Sequence, residues 1–271
     1  MTARALVVVA IVVAAAVALG PVPPSSGLDH IPIAVNDLDR ASADYRALGF
    51  ALKPGRPHDN GITNQHVKFP DGTELELITA PAARDPLTAT YRRHLAAGDG
   101  PAFLALFAPG VDAGPLGLNA DPLQYIFMSG RNQSPTDRPE HFAHPNTAES
   151  LIGVWLAGDD LSSERRLLEK IGARIKADEV RVPEPIKAQV VHLAEGEVVL
   201  LPVSRQLVPG RRIVGATVRV RELAAARRVL GGRGREIGSS IFLPPDLTHG
   251  LWLELREIRH DRGDASSRDS R

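Results

Sequence analysis

Three segments of the chain repeat one order of apolar and polar residues. They align without gaps and comprise Leu28–Leu38, Leu151–Leu161 and Ile213–Leu223. Each segment is a short apolar run followed by an acidic residue suited to capping a helix, and apolar residues then recur at helical spacing. The pattern predicts a strand and then a helix in each copy. The predicted helices cover Leu38–Leu48, Leu161–Ile171 and Leu223–Leu230.

Each predicted helix is followed by short strand-like pieces that end in an apolar or alternating run. These closing runs are Gly72–Ile78, Gly196–Leu201 and Gly250–Leu255. The repeated unit is therefore a strand, a helix and about three strands. Because one unit cannot cover both faces of its own sheet, units are expected to pair around a shared concave surface. Two more predicted strands, Phe103–Phe107 and Leu123–Phe127, indicate a degraded fourth unit that lacks its helix.

These repeats predict the fold class and the domains. We expect an α+β protein whose β-α-β-β-β modules form curved mixed sheets, with one module pair over 28–146, its second module degraded, and another over 147–258. Residues 1–27 contain an uncharged apolar run, Ala5–Leu19, and then a Pro-rich stretch. This order indicates a signal peptide or a membrane anchor. We therefore expect an exported protein, periplasmic or extracellular, or one anchored at a membrane, with a disordered polar tail over 259–271.

Composition narrows the classes of partner. Lys+Arg and Asp+Glu both number 32, and the formal net charge is zero, so nothing draws the chain towards nucleic acid. A membrane contact is expected only through the N-terminal segment. The chain has no Cys, which excludes disulfides, thiolate metal sites and Cys nucleophiles. A small-molecule ligand or substrate is the expected partner.

Specific residues resemble a known family. Leu28–Ile31, which contains Asp29 and His30, opens a unit, and Leu75-Glu76-Leu77 closes it. Together they resemble the vicinal oxygen chelate superfamily, which includes glyoxalase-like, bleomycin-resistance and extradiol dioxygenase proteins. Three further elements look like its glyoxalase-like domain subgroup, namely Gly55–His58, Gly61–Gln65 and His144–Ala148. The resemblance covers about Leu28–Ile258. It implies paired modules that curl around a cup, and a homodimer is one expected assembly because members often complete modules across subunits.

The resemblance also implies a metal site. In metal-dependent members the first strand contributes a His or Gln and the last strand a Glu, which implies His30, Glu76 and Glu254 as ligands here. Imidazole and carboxylate suit a divalent metal such as Zn, Fe, Mn, Co or Ni. Glu76 and Glu254 each stand between two leucines. Since alternate residues of a strand face opposite sides, both carboxylates are expected in the cup if those leucines face the core.

The chain departs from the full ligand pattern. The positions aligned with His30 are Gly153 and Gly215, and Leu200 aligns with Glu76. A complete set of paired His and Glu ligands is therefore not assembled from the repeats. If a metal binds, its remaining ligands are expected to come from His58, Asn64, His66, His141 or His144, or from water. The candidates for substrate binding are His58, Asn64, His144, Tyr125 and Trp155. His144 could instead brace the units, and Tyr125 and Trp155 could be core residues. No catalytic base is predicted.

Two classes of function follow. The first is an exported, metal-dependent enzyme of lyase or isomerase type that acts on a small oxygenated molecule, with His30 and Glu76 as ligands. The second is a non-catalytic pocket protein that sequesters a small compound, as bleomycin-resistance proteins do. The loss of the paired ligands favours the second class, and the retention of His30 with Glu76 in one unit favours the first.

Overall fold

The computed structural model describes residues 26–112, 114–118, 120–131 and 133–258. Most of the predicted N-terminal segment 1–27 and the whole predicted tail 259–271 lie outside these residues. Among the described residues, no helix has the length and apolar character needed to cross a membrane.

The described chain folds into two mixed β-sheets with four α-helices. The helices are α1 (Leu38–Ala47), α2 (Pro86–Leu95), α3 (Ser162–Lys170) and α4 (Leu223–Leu230). The strands of the first sheet are β1 (Gly27–Ala34), β2 (Lys53–Pro54), β3 (Thr63–Lys68), β4 (Glu74–Thr79), β5 (Gly100–Pro101), β6 (Leu104–Phe107) and β7 (Ile126–Met128). Those of the second are β8 (Ala148–Gly158), β9 (Arg174–Arg181), β10 (Pro185–His192), β11 (Glu197–Pro202), β12 (Ile213–Val220), β13 (Arg235–Ile237), β14 (Ser240–Leu243) and β15 (Trp252–Glu257).

Strand order shows how the repeated units are arranged. The first sheet runs β2-β3-β4-β1-β6-β7, with β5 also paired to β1, and the second runs β13-β14-β15-β12-β8-β11-β10-β9. In each of the three predicted units the closing strand lies parallel beside the opening strand, as β4 does with β1. A helix connects such strands because a parallel pair needs a long crossover. The predicted fold class, α+β modules in curved mixed sheets, is confirmed.

Two strands lie where the fourth unit was predicted, but the second, β7, begins at Ile126 and not at the predicted Leu123. β6 and β7 pair in parallel, and a short 3₁₀ segment, Gly114–Leu116, stands where the other units have an α-helix. β6 also lies antiparallel to β1. The edge strand β7 is only three residues long.

One hydrophobic cluster joins the two sheets. Its fully buried members include Leu28 and Leu75 of the first sheet and Val154 and Leu253 of the second. The helices supply Tyr45, Leu167 and Leu230 to the same cluster. Because this core lies under the helices, each sheet turns its other face away from it.

Candidate functional site

The concave side of the first sheet carries a cleft with two adjoining hollows. One is mainly apolar, with a volume of about 650 Å³. The other is polar, with a volume of about 970 Å³. His30, His58 and Glu76 line both hollows. These three side chains therefore stand where the two hollows meet.

A β-bulge in β1 sets the position of His30. Successive residues of a regular strand point to opposite faces, but the register between β1 and β6 shifts between Leu28 and His30. Asp29 is the extra residue, and its Oδ1 lies 2.5 Å from His30 Nδ1. Bulges of this kind re-aim side chains near functional sites. The contact leaves His30 Nε2 on the side of the cleft.

β4 brings Glu76 to the same place. In the parallel pairing of β1 with β4, His30 stands opposite Glu74, and Glu76 comes two residues later on the same face. His30 Nε2 lies 3.9 Å from Glu76 Oε2. Asn64 of the neighbouring β3 donates a 2.6 Å hydrogen bond to Glu76 Oε1. The intervening Leu75 and Leu77 are fully buried on the other face.

Acidic neighbours control the protonation of His30. Burial by itself would lower the pKa of His30. This effect of burial is outweighed by the hydrogen bond with Asp29 and by the negative charges of Glu74, Glu76 and Asp29. The pKa of His30 is therefore raised overall. The ring therefore keeps its second proton to a higher pH than a free imidazole does, and the neutral form is present above that pH. Glu74 is also engaged with His66, whose Nδ1 lies 3.2 Å from its Oε1.

Aromatic rings form one wall of the apolar hollow. Tyr91 meets Phe103 with 5.3 Å between ring centroids, Phe103 meets Phe127 at 6.3 Å, and Phe127 meets His30 at 5.4 Å. All three contacts are edge-to-face, an arrangement that aromatic pairs favour. Only 4% of the residues in the chain are aromatic, so this wall concentrates a scarce residue type. It offers a flat apolar ligand an aromatic surface.

Cationic side chains line part of the polar hollow. Lys53, Arg56 and Arg131 all face it. Lys53 and the buried Lys68 bind the two carboxylate oxygens of Asp137 at 2.5 and 2.7 Å. Burial would raise the pKa of Asp137, but these two bonds hold it well below its usual range. The two lysines thus fix the loop that closes this side of the cleft.

Two of the predicted substrate-binding residues lie in the cleft. His58 is at the junction of the hollows, and Asn64 lines the polar one. His58 Nε2 and Asn64 Oδ1 are buried and have no hydrogen-bond partner within the described part of the chain. Buried polar atoms in proteins are nearly always paired. These two atoms thus lie beside the cleft without the partner that burial normally requires.

The other predicted substrate-binding residues lie elsewhere. His144 accepts a 2.9 Å hydrogen bond from Ala51 N at Nδ1, and its Nε2 lies 2.8 Å from Lys68 O, so it braces the chain between the units. Tyr125 donates to Glu164 Oε1 at 3.0 Å. Trp155 belongs to a separate cluster on the second sheet. None of the three lines either hollow.

Glu254 also lies apart from the cleft, on β15 of the second sheet. Arg256 binds both of its carboxylate oxygens, at 2.9 and 2.8 Å. Ser240 and Thr217 donate further hydrogen bonds of 2.5 and 2.8 Å. Leu253 and Leu255 belong to the core cluster, and Glu254, between them in sequence, is buried on the opposite face of the strand. Its oxygens are already satisfied there.

The cup of the second sheet is filled by its own side chains. A Cβ on Gly215 would stand 2.2 Å from Trp155 Cε3, and one on Gly153 would stand 2.9 Å from Thr217 Cβ. Gly153 and Gly215 occupy the positions that align with His30. The indole of Trp155, which donates a 3.1 Å hydrogen bond to Thr217 Oγ1, therefore lies in the second sheet where His30 lies in the first.

The side chains at the cleft do not make up the expected metal-ligand set. His30 Nε2 and Glu76 Oε2 face each other, but Glu254 is engaged on the second sheet. Across the described residues, no three His, Cys, Asp or Glu side chains form a group that could hold a metal ion. Catalytic metal sites typically have three protein ligands. The pair at the cleft is one donor short of that number.

Comparison with solved structures places this fold among known ones. A hypothetical protein from Staphylococcus aureus is 12% identical, with a TM-score of 0.57 over 86% of this chain and 100% of that chain. A variant of 4-hydroxymandelate synthase from Streptomyces coelicolor is 16% identical, with a TM-score of 0.59 and coverage of 89% and 94%. Homoprotocatechuate 2,3-dioxygenase from Arthrobacter globiformis is 16% identical, with a TM-score of 0.55 and coverage of 91% and 84%. At these identities the likeness shows a shared fold.

The sequence itself identifies the family. Residues 28–184 match the family described as Glyoxalase-like domain, so the chain belongs to that family and, with it, to the vicinal oxygen chelate superfamily. The search of curated proteins found no match to this sequence. The resemblance inferred from Asp29-His30 and Glu76 is confirmed.

Proposed function

We propose that this protein binds a small molecule in the cleft of the first sheet, with an apolar part in the hollow walled by aromatic rings and a polar part at His30, His58 and Glu76. One observation carries this proposal: an apolar hollow of about 650 Å³ ends at three convergent polar side chains. Small-molecule sites typically combine an apolar lining with a few placed polar groups at this scale.

Electrostatics and the comparisons support a small ligand. The polar hollow contains cations and carboxylates side by side, and the formal net charge of the chain is zero. Such a balance favours local recognition of a polar group over attraction of a large charged partner. Two of the structures with this fold are enzymes named for small organic compounds.

The amphiphilic dye 8-anilinonaphthalene-1-sulfonate tests this proposal. We expect its fluorescence to report saturable binding at one site. Phe127→Ala removes part of the aromatic wall and should weaken binding about tenfold, equivalent to about 1.4 kcal/mol. His58→Ala should also weaken it, whereas the matched control His192→Ala, on the second sheet and half exposed, should not. Equal affinity in the wild type and Phe127→Ala would exclude the cleft as the site, and no binding to the wild type would contradict the proposal.

A metal-dependent lyase or isomerase is the second candidate. The 3.9 Å separation of His30 Nε2 and Glu76 Oε2 favours it, since both groups could turn towards one ion. The engagement of Glu254 by Arg256 opposes it. Calorimetric titration with Zn²⁺ distinguishes the two: stoichiometric binding that is lost in the His30→Ala, Glu76→Ala double variant would support the enzyme. Without such binding in the folded wild type, the pocket protein is favoured.

Export, membrane anchoring through residues 1–27 and a homodimer remain predictions from the sequence. The proposed cleft does not depend on them, because every side chain assigned to it belongs to the first sheet, to α2 or to the loops between them.

A further inference from the structure

Asp29 is a buried carboxylate next to the cleft. Its side chain is fully buried, and its Oδ2 has no hydrogen-bond partner among the residues that the structure describes. Its Oδ1 meets His30 Nδ1 at 2.5 Å. Burying a carboxylate is costly unless it is paired. The contact with His30 is therefore the one that compensates for the burial of Asp29.

The two ring nitrogens of His30 have unequal partners. Nδ1 is 2.5 Å from Asp29 Oδ1, whereas Nε2 is 3.9 Å from Glu76 Oε2, which is beyond hydrogen-bond distance. In a neutral imidazole, the stronger hydrogen bond decides which nitrogen carries the proton. The position of Asp29 on the bulge therefore favours the proton on Nδ1.

We propose that Asp29 is a positioning residue of the cleft, which holds the proton of neutral His30 on Nδ1 and so presents Nε2 to the ligand as an acceptor. This inference rests on the proposed function in taking the cleft as the ligand site. A ligand hydroxyl or amide can then donate to Nε2. The edge-to-face contact with Phe127 supports the same ring orientation from the side of the apolar hollow.

Nitrogen NMR of the full chain with ¹⁵N-labelled histidine tests this assignment without any ligand. Spectra are recorded in alkaline buffer, where imidazoles are neutral, and His30→Gln identifies the His30 signals among the nine histidines. We expect the ring nitrogen shifts of wild-type His30 to show the proton on Nδ1. In Asp29→Ala we expect a move to the Nε2–H form, while Glu76→Gln should keep the wild-type tautomer.

The tautomer distinguishes a positioning role from a purely structural one, because a loss of packing does not by itself move the ring proton from Nδ1 to Nε2. A wild-type spectrum with the proton on Nε2 would overturn the assignment even if Asp29→Ala fails to fold. An unchanged tautomer in folded Asp29→Ala would also overturn it. Failure of the dye to bind the wild type would contradict the proposed function and leave the tautomer result standing, so the two claims fail separately.

Discussion

At the scale of single residues, Gly215 marks a difference between the cups of the two sheets. It stands at the position aligned with His30, and the indole of Trp155 lies against it. We predict that Gly215→Ala destabilises the protein by about 1 to 3 kcal/mol, because a Cβ at this place overpacks a full core. Urea unfolding followed by circular dichroism measures the change.

Two further variants test the cause of this effect. Gly130→Ala is the control, since its Cβ would meet nothing within 4 Å, and it should leave the unfolding midpoint unchanged. In a Trp155→Leu background, Gly215→Ala should lower the free energy of unfolding by less than it does in the wild type. Substitutions at two residues that share a space are non-additive. Strict additivity of the two changes would contradict the steric account.

The sequence predicted the two central residues of the candidate site but not their neighbour. Glu76 could be placed because strict alternation with Leu75 and Leu77 assigns its face. Asp29 could not, since the same alternation puts it on the face opposite to His30 and nothing in the sequence shows the bulge. Glu254 shows the limit of the same reasoning. Alternation predicted that it faces opposite to Leu253 and Leu255, but only the folded chain shows that Arg256 binds both of its oxygens.

At the scale of elements, α2 positions the aromatic wall and was absent from the sequence prediction. The repeats gave no sign of it, because the other units have no counterpart. A local signal was present in Asp85-Pro86-Leu87-Thr88: Asp85 accepts from Thr88 N at 2.7 Å, Thr88 Oγ1 accepts from Asp85 N at 2.9 Å, and Pro86 opens the helix.

Loss of this cap should loosen the wall of the cleft. Hydrogen bonds from the Thr88 backbone, Asn60 and the Thr88 side chain lower the pKa of Asp85. A carboxylate with a lowered pKa stabilises the fold above its unfolded pKa, and this contribution is lost as the pH falls through the folded pKa. We therefore predict that Asp85→Ala lowers the thermal midpoint at neutral pH and that the gap to the wild type narrows in acid. A gap that does not depend on pH would contradict this reading.

The other helices were predictable because their signals are local. Leu223–Leu230 was predicted with the bounds that the structure shows, and Leu38–Leu48 and Leu161–Ile171 differ by one residue at one or both ends. Periodic apolar residues and a following Gly are sufficient for such elements. The order of strands within each sheet depends on contacts between distant units, which one sequence does not reveal.

At the scale of the whole molecule, His249 links the two halves of the described chain. It lies just before β15, and its Nδ1 is 2.8 Å from Asp99 Oδ2 while its Nε2 is 3.0 Å from Asp44 Oδ2. Each ring nitrogen thus faces one carboxylate. Asn36 donates two more hydrogen bonds to Asp99, of 2.8 and 2.9 Å. A shared ring thus joins α1, the loop after α2 and the second sheet.

His249→Asn tests this link and keeps a residue type that tolerates the left-handed backbone found there, with φ of 57°. Burial would raise the pKa of Asp99, but bonds from His249 and Asn36 lower it overall. The contribution of Asp99 to the stability of the fold is therefore present above its pKa in the unfolded chain. It is lost as the pH falls through the pKa of Asp99 in the folded protein. We expect His249→Asn to lower the free energy of unfolding by about 1 kcal/mol at neutral pH and by less in acid. The expected loss is small because Asp44 is half exposed to solvent. Urea unfolding across pH measures both, with His192→Asn as the exposed control. Equal losses in the two variants would mean that His249 does not hold the halves together.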